Sequence, residues 1–513
     1  MLRRSASTTS IRHVSKETLT ILLILSIRRF GTPVIKSLNT FIHNNSLVTY
    51  VIGPTIFPVV GNLVNVWLSL KRFKCHHRVW QNWAKKYGKI LGLRLGLVDV
   101  VIVFGKKYIK EVLARDVFDG RPDGYFYTMR SFGKKIGIVF SDGTTWTKTR
   151  RAVLKHLRNF GYGSRSMENN ICEEVKAIVD LRKLDAGRPV VVNHVFDVAI
   201  VNIMWKLVAG KRYDLKDNKL KHICDLITKS FQLVDMSGGI LTFLPFLRHI
   251  MPDFIGYSEL KLIHHNIYTF IQETINEHRA TLDVSKPRDL IDAFLIDIMQ
   301  QKEDSFTEEE LQVICRDLLE AGVETVSNTA AFMLLHIVRN PDVQKQLQDE
   351  IDSAIELSRY PTLGDRSRMI YTEAVILETL RISSVAAVGI PHMAREDARL
   401  GDYVIRKGTF LLLAIHDLHN GAQWKNPQEF NPARFITTEG NLIQSDMLMP
   451  FGTGKRRCIG EGLARSELFL FLTYILQSFN LKIPNGDPIP STEPVDGVSL
   501  SAKEFRVIFE PRR

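Results

Sequence analysis

The chain has 513 residues, of which 45% are hydrophobic and 24% charged, which is typical of a globular protein with a large core. Its 68 Lys and Arg residues outnumber the 55 Asp and Glu residues, and the resulting charge of +13 admits an anionic membrane or an acidic protein as partner. Nucleic acid is not expected as a partner, because no nucleic-acid-binding motif accompanies this charge. The five cysteines form no Cys-x-x-Cys pair, which argues against a zinc site and indicates a reducing compartment.

The first 50 residues are predicted to be an N-terminal leader or a weak membrane-associating segment. Residues 18–27 are apolar, but ten residues are too few for a membrane-spanning helix, which needs about 20. Residues 1–16 carry four Lys or Arg residues and no acid, as in a mitochondrial presequence. A Pro/Gly-rich stretch at 53–62 marks the entry to the folded domain, which is predicted over 51–513.

Further along the chain, short β-branched runs at 90–94 and 99–104 predict a hairpin of a small sheet. Most of the remaining sequence has helical periodicity. The longest predicted helix begins at a capping box formed by Thr307 and Glu310 and ends at Asn340 and Pro341. Amphipathic stretches follow at 342–357 and 369–382. The sequence therefore predicts a mainly α fold with a minor sheet.

A glycine, an acid and an alcohol interrupt the apolar middle of the longest predicted helix. These are Gly322, Glu324 and Thr325 in the sequence AGVET, which begins at Ala321. Small residues at Ala321 and Gly322 leave space, and the two polar side chains can pass protons. By itself the pattern is weak, because a helical glycine can simply ease packing at a cost of about 1 kcal/mol.

Near the C-terminus, the sequence FGTGKRRCIG frames Cys458. A thiolate that binds haem iron must be deprotonated, shielded from water and closely approached by the flat porphyrin. Gly454 permits a tight turn, Gly460 removes a side chain beside the macrocycle, and Phe451 can pack against the sulfur, while Arg456 supplies charge for a propionate. Cys458 is therefore predicted to be the axial iron ligand; the alternative is an inert free thiol.

The pattern Phe-x-x-Gly-x-Arg-x-Cys-x-Gly resembles the haem-binding loop of the cytochrome P450 superfamily, and the resemblance extends from about residue 50 to the end of the chain. It implies the mainly α haem-thiolate fold with a small β-rich subdomain, the cofactor heme b (iron protoporphyrin IX), and a monooxygenase that inserts one atom of O2 into a lipophilic substrate. The AGVET stretch resembles the oxygen-activation segment, which implies catalytic roles for Glu324 and Thr325. Val326 replaces the small hydroxyl residue that is common next, so a thinner proton relay is expected.

Two further sets of residues follow from the same resemblance. Spacing alone does not select Glu378 and Arg381 as a pair, because Glu356 and Arg359 have the same separation. The order of Glu378 and Arg381 relative to the FNPARF stretch at 430–435 resembles the structural ion-pair triad of the family. The resemblance implies that Glu378, Arg381 and Arg434 form this triad. The residues implied to hold the haem propionates are Arg121, Trp146, Arg150, His392 and Arg456.

The partners and the location are also expectations from resemblance. Basic clusters at 148–151, 155–158 and 455–457 match the face on which the family docks an acidic electron donor. The sequence after Cys458, GEGLAR at 460–465, looks like the microsomal branch. This implies NADPH-cytochrome P450 reductase as donor, with cytochrome b5 as a second candidate, and the cytoplasmic face of the endoplasmic reticulum membrane; a mitochondrial location is the alternative.

The expected substrate is lipophilic, because the candidate site walls are apolar. Residues 121–160 look similar to insect members of the clan that includes methyl farnesoate epoxidase, which makes a juvenile-hormone precursor or another isoprenoid or steroid hormone the leading hypothesis. General xenobiotic oxidation and a haem-containing lipophile-binding protein without turnover are the alternatives. The apolar segment 240–251 is predicted to dip into a membrane surface. The walls are expected at Tyr125, Phe126, Tyr127, Phe132, residues 385–390 and residues 498–500.

Overall fold

The structure, a computed structural model, describes residues 51–300, 305–356 and 358–512. The predicted leader, 1–50, lies outside these residues. Sixteen α-helices occur in the described part of the chain, and short 3-10 helices at Asp116–Phe118, Pro245–His249, Leu363–Arg368, Pro432–Phe435 and Gly454–Arg456 connect them. The α-helices are α1 Leu63–Phe73, α2 His76–Tyr87, α3 Lys106–Ala114, α4 Tyr125–Met129, α5 Gly143–Asn159, α6 Arg165–Leu184, α7 Asp197–Ala209, α8 Asn218–Leu233, α9 Gly239–Phe243, α10 Tyr257–Ala280, α11 Leu290–Met299, α12 Glu308–Arg339, α13 Pro341–Ala354, α14 Ile370–Ser383, α15 Ile415–Asn420 and α16 Glu461–Ser478.

Helix α12 is the longest of these, with 32 residues, and it lies in the core. Its predicted start is confirmed: the Thr307 side chain accepts from the backbone N–H of Glu310, and the Glu310 side chain accepts from the N–H of Thr307. Its end, just before Pro341, is also as predicted. Residues 313–320 and 326–338 are all buried. A helix buried on every face needs partners all round, which α7, α10, α14 and α16 supply.

The strands form small sheets at the periphery of the helical core. The largest has the order β1-β2-β7-β4, in which β2 pairs antiparallel with β1 and parallel with β7. The predicted hairpin is thus confirmed as β1 and β2. The strands are β1 Ile90–Leu95, β2 Val98–Val103, β3 Pro189–Val191, β4 His392–Met393, β5 Ala398–Leu400, β6 Tyr403–Ile405, β7 Phe410–Leu413, β8 Phe479–Lys482, β9 Pro494–Val495, β10 Ser501–Ala502 and β11 Arg506–Pro511.

The turn between β1 and β2 is held against the segment that contains α9. Gly96 has a φ of +58°, and a Cβ there would lie 2.3 Å from the backbone oxygen of Phe243. Only glycine allows both this conformation and this close approach. The backbone N–H of Leu97 then donates to the same Phe243 oxygen at 3.1 Å. The small sheet is therefore fixed to the 239–256 region by backbone contacts.

Candidate functional site

The loop that carries Cys458 is fixed by backbone contacts on both sides. The Cys458 N–H donates to the carbonyl of Phe451 at 3.0 Å, which closes the loop. Gly454 has a φ of +70°, and a Cβ there would lie 2.4 Å from the backbone oxygen of Leu113, so the predicted tight turn at this glycine is present. A Cβ at Gly460 would meet only the Cys458 sulfur, at 3.8 Å, so the protein's own packing does not demand glycine there.

Cys458 lies just before the N-terminus of α16, and its side chain is exposed. Although the residue is exposed, the protein atoms around the sulfur desolvate it and raise the pKa of the thiol, and hydrogen bonds from the backbone of Gly460 and Glu461 and the charge of Arg150 offset this only in part. The positive end of the helix dipole adds to the stabilisation of a thiolate. The protein alone therefore favours the neutral thiol, and binding of a metal ion would have to displace its proton.

Three of the residues expected around the propionates, Arg456, Trp146 and Arg121, lie near one another. The guanidinium of Arg456 lies 3.9 Å from the centre of the Trp146 ring and donates to the carbonyl oxygens of Asp119, at 2.7 Å, and Ser141, at 3.0 Å. Arg121 donates to the carbonyl of Pro391 at 2.9 Å, next to His392. Burial and the charge of Arg456 lower the pKa of Arg121 to about 9, and burial lowers that of Arg456 to about 10.

His392 and Arg150 complete the expected set. The His392 ring lies 2.7 Å from the carbonyl of Phe118 through Nδ1, so that nitrogen carries the proton. Burial and the charge of Arg121 lower the pKa of His392 to about 3, which keeps the ring neutral. Arg150, on α5, donates to the carbonyl of Arg457 at 2.8 Å and so joins α5 to the cysteine loop.

Helix α12 is buried along most of its length but is more exposed at its middle. Ala321 is exposed and Gly322 and Thr325 are half-buried, although the residues on either side are buried. A Cβ at Gly322 would point at the Met204 side chain of α7, 3.4 Å away. A Cβ at Gly322 would make only an ordinary van der Waals contact there, and the expectation that Ala321 and Gly322 leave room for oxygen stays a prediction.

Glu324 and Thr325 are adjacent in sequence, but no hydrogen bond joins their side chains. The Thr325 hydroxyl donates to the carbonyl of Ala321 at 2.8 Å. The buried Glu324 carboxyl accepts from Thr228 on α8 and from Asn328, both at 2.9 Å. Burial raises the pKa of Glu324. A direct transfer between the two groups thus requires rotation of the Glu324 side chain.

The ion-pair triad is brought together as expected. Both oxygens of Glu378 accept from Arg381, at 2.7 and 2.8 Å, and both side chains are fully buried. Arg434 lies 3.1 Å from the same carboxylate. Arg359, which shares the sequence spacing of the triad pair, contacts Asp365 instead of Glu356. Buried charges with several hydrogen bonds hold a specific geometry, in contrast to exposed pairs.

His419 connects this triad to the cysteine loop, a link that the sequence reasoning missed. Arg381 donates to the His419 carbonyl at 2.9 Å, and the His419 Nε2 accepts from the backbone N–H of Met449 at 2.9 Å. Its Nδ1 therefore carries the proton and donates to Ser384 at 2.9 Å. Burial lowers the pKa of His419 to about 3, so the acceptor nitrogen stays unprotonated. The many histidines in ordinary core positions give no sequence signal for this role.

The residues present fit a planar, anionic haem. Arg121 and Arg456 are cations that direct their side-chain donors to carbonyl oxygens, and no carboxylate of the described residues forms an ion pair with either guanidinium. Two such guanidiniums close together favour a ligand with two negative charges, and the two propionates of a haem carry such charges. The haem ring itself needs an apolar surface and a sulfur ligand. The exposed Ala321 of α12 offers the first, and the exposed thiol of Cys458, beside Gly460, offers the second.

A mainly α fold with an exposed cysteine at the start of its last long helix, near the cations Arg121, Arg150 and Arg456, is the arrangement of haem-thiolate proteins. The chain belongs to the cytochrome P450 family, whose model matches residues 52–509. It is 61% identical to the farnesoate epoxidase of Bombyx mori over 90% of this chain and 94% of that protein. It is 33% identical to probable cytochrome P450 305a1 of Drosophila melanogaster and 36% to cytochrome P450 2C20 of Macaca fascicularis, over the same shares.

These comparisons confirm the predicted fold and activity. The chain is a P450 monooxygenase with a mainly α fold and small β sheets. The family implies a haem-iron cofactor, a redox partner, O2 and a lipophilic substrate. The roles of individual residues are inferences from geometry and resemblance.

The apolar segments expected to contact substrate meet through their backbones. Leu500 donates to the carbonyl of Val385 at 2.8 Å, and Val498 donates to that of Phe231, on α8, at 2.7 Å. Phe126 is buried beside Tyr127 in a core cluster with the main sheet. Phe132 is 41% exposed, and its ring contacts that of Tyr268 at an interplanar angle of 37°, with ring centres 4.6 Å apart.

Exposed apolar side chains gather around the Gly96 turn. The segment 240–251 is divided: Leu241 and Phe243 are buried, whereas Phe246 and Ile250 are 43% and 67% exposed. Leu97, at the turn, is 56% exposed. In the described part of the chain one helix, α12, is apolar and long enough to span a membrane, but its most apolar stretch is 83% buried, as in a core helix.

Proposed function

We propose that this protein is a heme b monooxygenase that epoxidises farnesoate or its methyl ester, a juvenile-hormone precursor. The observation that carries the proposal is the 61% identity with the Bombyx mori farnesoate epoxidase over nearly the whole of both chains. The apolar wall residues at Val385, Val498 and Leu500 suit an isoprenoid chain recognised by shape.

In this proposal Cys458 ligates the haem iron, and Arg121 and Arg456 bind the propionates. Trp146 holds Arg456 in place through its ring, and Arg150 supplies a further donor, while the one N–H of neutral His392 is donated to the Phe118 carbonyl. When bound, the haem activates O2 and transfers one oxygen atom to the substrate. The hydrogen bonds from the backbone of Gly460 and Glu461 would favour the thiolate form once the iron is bound.

Glu324 and Thr325 are proposed to deliver protons. Thr228, which donates to Glu324, also lines a cavity of about 370 Å³ together with His194 and Asp225. Because burial raises the pKa of Glu324, the carboxyl can hold a proton and present it to the Thr325 hydroxyl after rotation. Thr325→Ala should then consume NADPH with little product and release peroxide, while Thr325→Ser retains coupling. Equal coupling in both variants would contradict the relay.

The electron donor is proposed to be NADPH-cytochrome P450 reductase, with cytochrome b5 as a second donor. Arg151, Lys155 and Arg158 lie exposed on α5, which Arg150 ties to the cysteine loop. No carboxylate of the described residues forms an ion pair with these three cations, so they remain available to an acidic partner. Replacing Lys155 by Glu should raise the KM for reductase and weaken its salt dependence, with Lys345→Glu, on the exposed face of α13, as control.

Membrane association at the cytoplasmic face of the endoplasmic reticulum is proposed to use Leu97, Phe246 and Ile250. Exposed apolar groups beside basic residues favour insertion into the membrane interface. Residues 1–50 are proposed to be a leader or weak membrane-associating segment preceding the monooxygenase domain at 51–513. Phe246→Glu should lower the fraction bound to phosphatidylcholine vesicles in flotation assays.

The first experiment is a spectrum of the reduced protein with and without carbon monoxide, followed by turnover. A thiolate-type Soret band that is lost in Cys458→Ser would support the ligand assignment. Farnesoate and methyl farnesoate are then supplied with reductase and NADPH, and products are identified by mass spectrometry. Epoxide from either compound supports the substrate proposal. Oxidation of unrelated lipophiles alone favours a xenobiotic enzyme, and binding without turnover favours a carrier.

A further inference from the structure

We infer that Cys75, His77 and Asp496 form a binding site for a zinc ion, separate from the haem site. One thiol, one imidazole and one carboxylate converge there, with their ligand atoms all within 4.8 Å of one another. Mixed sulfur, nitrogen and oxygen ligands of this kind suit Zn²⁺, and three protein ligands leave a fourth position for water. The spacing of cysteines in the sequence indicates no such site, because Asp496 joins it from a distant part of the chain.

The state of His77 points to a ligand. This side chain is 6% exposed, yet no hydrogen-bond partner among the described residues reaches either ring nitrogen. Leaving a buried polar atom unpaired is costly, and such atoms are rare in folded proteins. The His77 ring packs against that of His416, with ring centres 4.1 Å apart, so the imidazole is held in one place.

The other two ligands are held in place. Cys75 is 1% exposed and precedes α2. The Asp496 Oδ2 accepts from the backbone N–H of His76 at 3.0 Å and lies 2.6 Å from its Nδ1. Burial disfavours a charge on His76, but Asp235 and Asp496 outweigh it and raise its pKa to about 9. A carboxylate fixed by a neighbouring hydrogen-bond donor is the arrangement commonly found behind metal ligands.

A second cluster of His278, Asp289 and Asp292 shows why geometry alone does not suffice. The His278 Nδ1 lies 2.8 Å from the Thr274 carbonyl, and its Nε2 lies 2.8 Å from Asp289. Arg288 pairs with Asp292. With both ring nitrogens donating, this histidine has no lone pair for a metal. The two clusters thus differ in whether the imidazole already has partners.

A zinc ion at Cys75 would join α2 to the β9–β10 hairpin. Pro494 and Val495 form β9, and Val498 in the same hairpin bonds to Phe231 of α8. The hairpin also carries Leu500 of the apolar wall. Burial raises the pKa of the Cys75 thiol to about 12, so zinc binding must release a proton to solvent. The ion would therefore brace one wall of the lipophile site.

The test uses the full-length, haem-loaded protein with ZnCl2 as the probe. After equilibration and gel filtration, we expect one zinc ion per chain by mass spectrometry, and loss of that ion in Cys75→Ser and His77→Gln. His76→Gln, which removes a contact to Asp496, should weaken zinc binding about 10- to 100-fold. Cys172→Ser, at a half-buried cysteine on α6, is the matched control and should bind zinc normally.

X-ray absorption at the zinc edge provides an independent measurement that needs no variant. One sulfur at about 2.3 Å together with nitrogen and oxygen near 2.0–2.1 Å supports the site. The proposal would be overturned if the wild-type protein failed to retain zinc. It would also be overturned if the zinc had no sulfur neighbour or if Cys75→Ser retained it unchanged, since either result would indicate an adventitious ion only. The carbon monoxide spectrum of each variant shows whether the haem site has stayed intact.

Discussion

The region around Cys458 and the apolar walls are held in place by different forces. Behind the cysteine loop, Glu378, Arg381 and His419 form a buried chain of directional hydrogen bonds that ends at Met449. At the walls, Val385 and Leu500 are joined by a backbone hydrogen bond and are buried as apolar side chains, and Asn328 donates to Ser499 between Val498 and Leu500. Polar networks fix one geometry, whereas apolar surfaces tolerate substitutions that conserve volume. The first region therefore defines the chemistry, and the second can change with the substrate.

The largest effect should come from removing the charge shared by the triad. Glu378→Gln leaves Arg381 fully buried without its carboxylate, and the loss of one partner of a buried pair costs about 3–5 kcal/mol. We expect poor haem incorporation and a large fall in thermal stability, measured by absorbance and by circular dichroism.

The matched control for the triad is an exposed pair on α13. Lys345 and Asp349 lie 3.1 Å apart, with side chains 75% and 64% exposed. Asp349→Asn should cost less than about 0.5 kcal/mol. Equal losses for both carboxylates would show that the buried triad has no special role.

The second effect concerns the link at His419. His419→Phe leaves the backbone N–H of Met449 without an acceptor, which costs about 1–3 kcal/mol. The expected result is faster haem loss to apomyoglobin and a broadened carbon monoxide band. His419→Gln, which can still accept from Met449, should recover part of the haem retention. Normal haem retention in the Phe variant would break the proposed connection between triad and loop.

The third effect is a pH dependence of stability. Burial lowers the pKa of His336 to about 3, so its ring stays neutral in the folded state while the unfolded chain takes up a proton below pH 6.5. Stability therefore falls as the pH drops from 6.5 toward 3, by about 1.4 kcal/mol per pH unit for each such histidine.

His336→Phe isolates this contribution. In the wild type, the rings of His336 and Phe430 stack with their centres 4.5 Å apart. The variant keeps an aromatic ring at this position and removes the titrating group. Urea unfolding between pH 7.5 and 5 should show a slope smaller by about one proton than in the wild type. An identical slope would mean that His336 is protonated in the folded protein.

The smallest effect on stability is expected at the walls. Val498→Ala removes two methyl groups from a half-buried side chain and should cost about 0.5 kcal/mol. The carbon monoxide spectrum should not change, while the affinity for farnesoate, measured from the substrate-induced Soret shift, should fall severalfold. If Val498→Ala changed the carbon monoxide spectrum but not the affinity for farnesoate, the wall would affect the haem site and not substrate binding, contrary to the division between the two regions.

The sequence predicted the elements whose determinants are local. The capping box at Thr307, the stop at Pro341 and the tight turn at Gly454 follow from backbone chemistry that neighbouring residues display. The cysteine frame and the order of the triad residues indicated the haem-thiolate fold. Each of these signals lies within a few residues of the feature that it predicts.

The remaining features depend on contacts between distant residues. The direction of the Glu324 side chain is set by Thr228, and the role of His419 by Met449. The ring contact between Phe132 and Tyr268 likewise joins residues far apart in the chain. A single sequence without its fold does not show which long-range partner each side chain meets.

The parallel pairing of β2 with β7 has a consequence for biogenesis. It joins Val100 to Phe410, and the cysteine loop and β11 follow still later in the chain. Nearly the whole polypeptide must leave the ribosome before this sheet and the thiol site can close, since non-local pairs form only when both partners exist. Cofactor loading is therefore a post-translational event, and a chain truncated before β11 would reach the quality-control machinery unfinished.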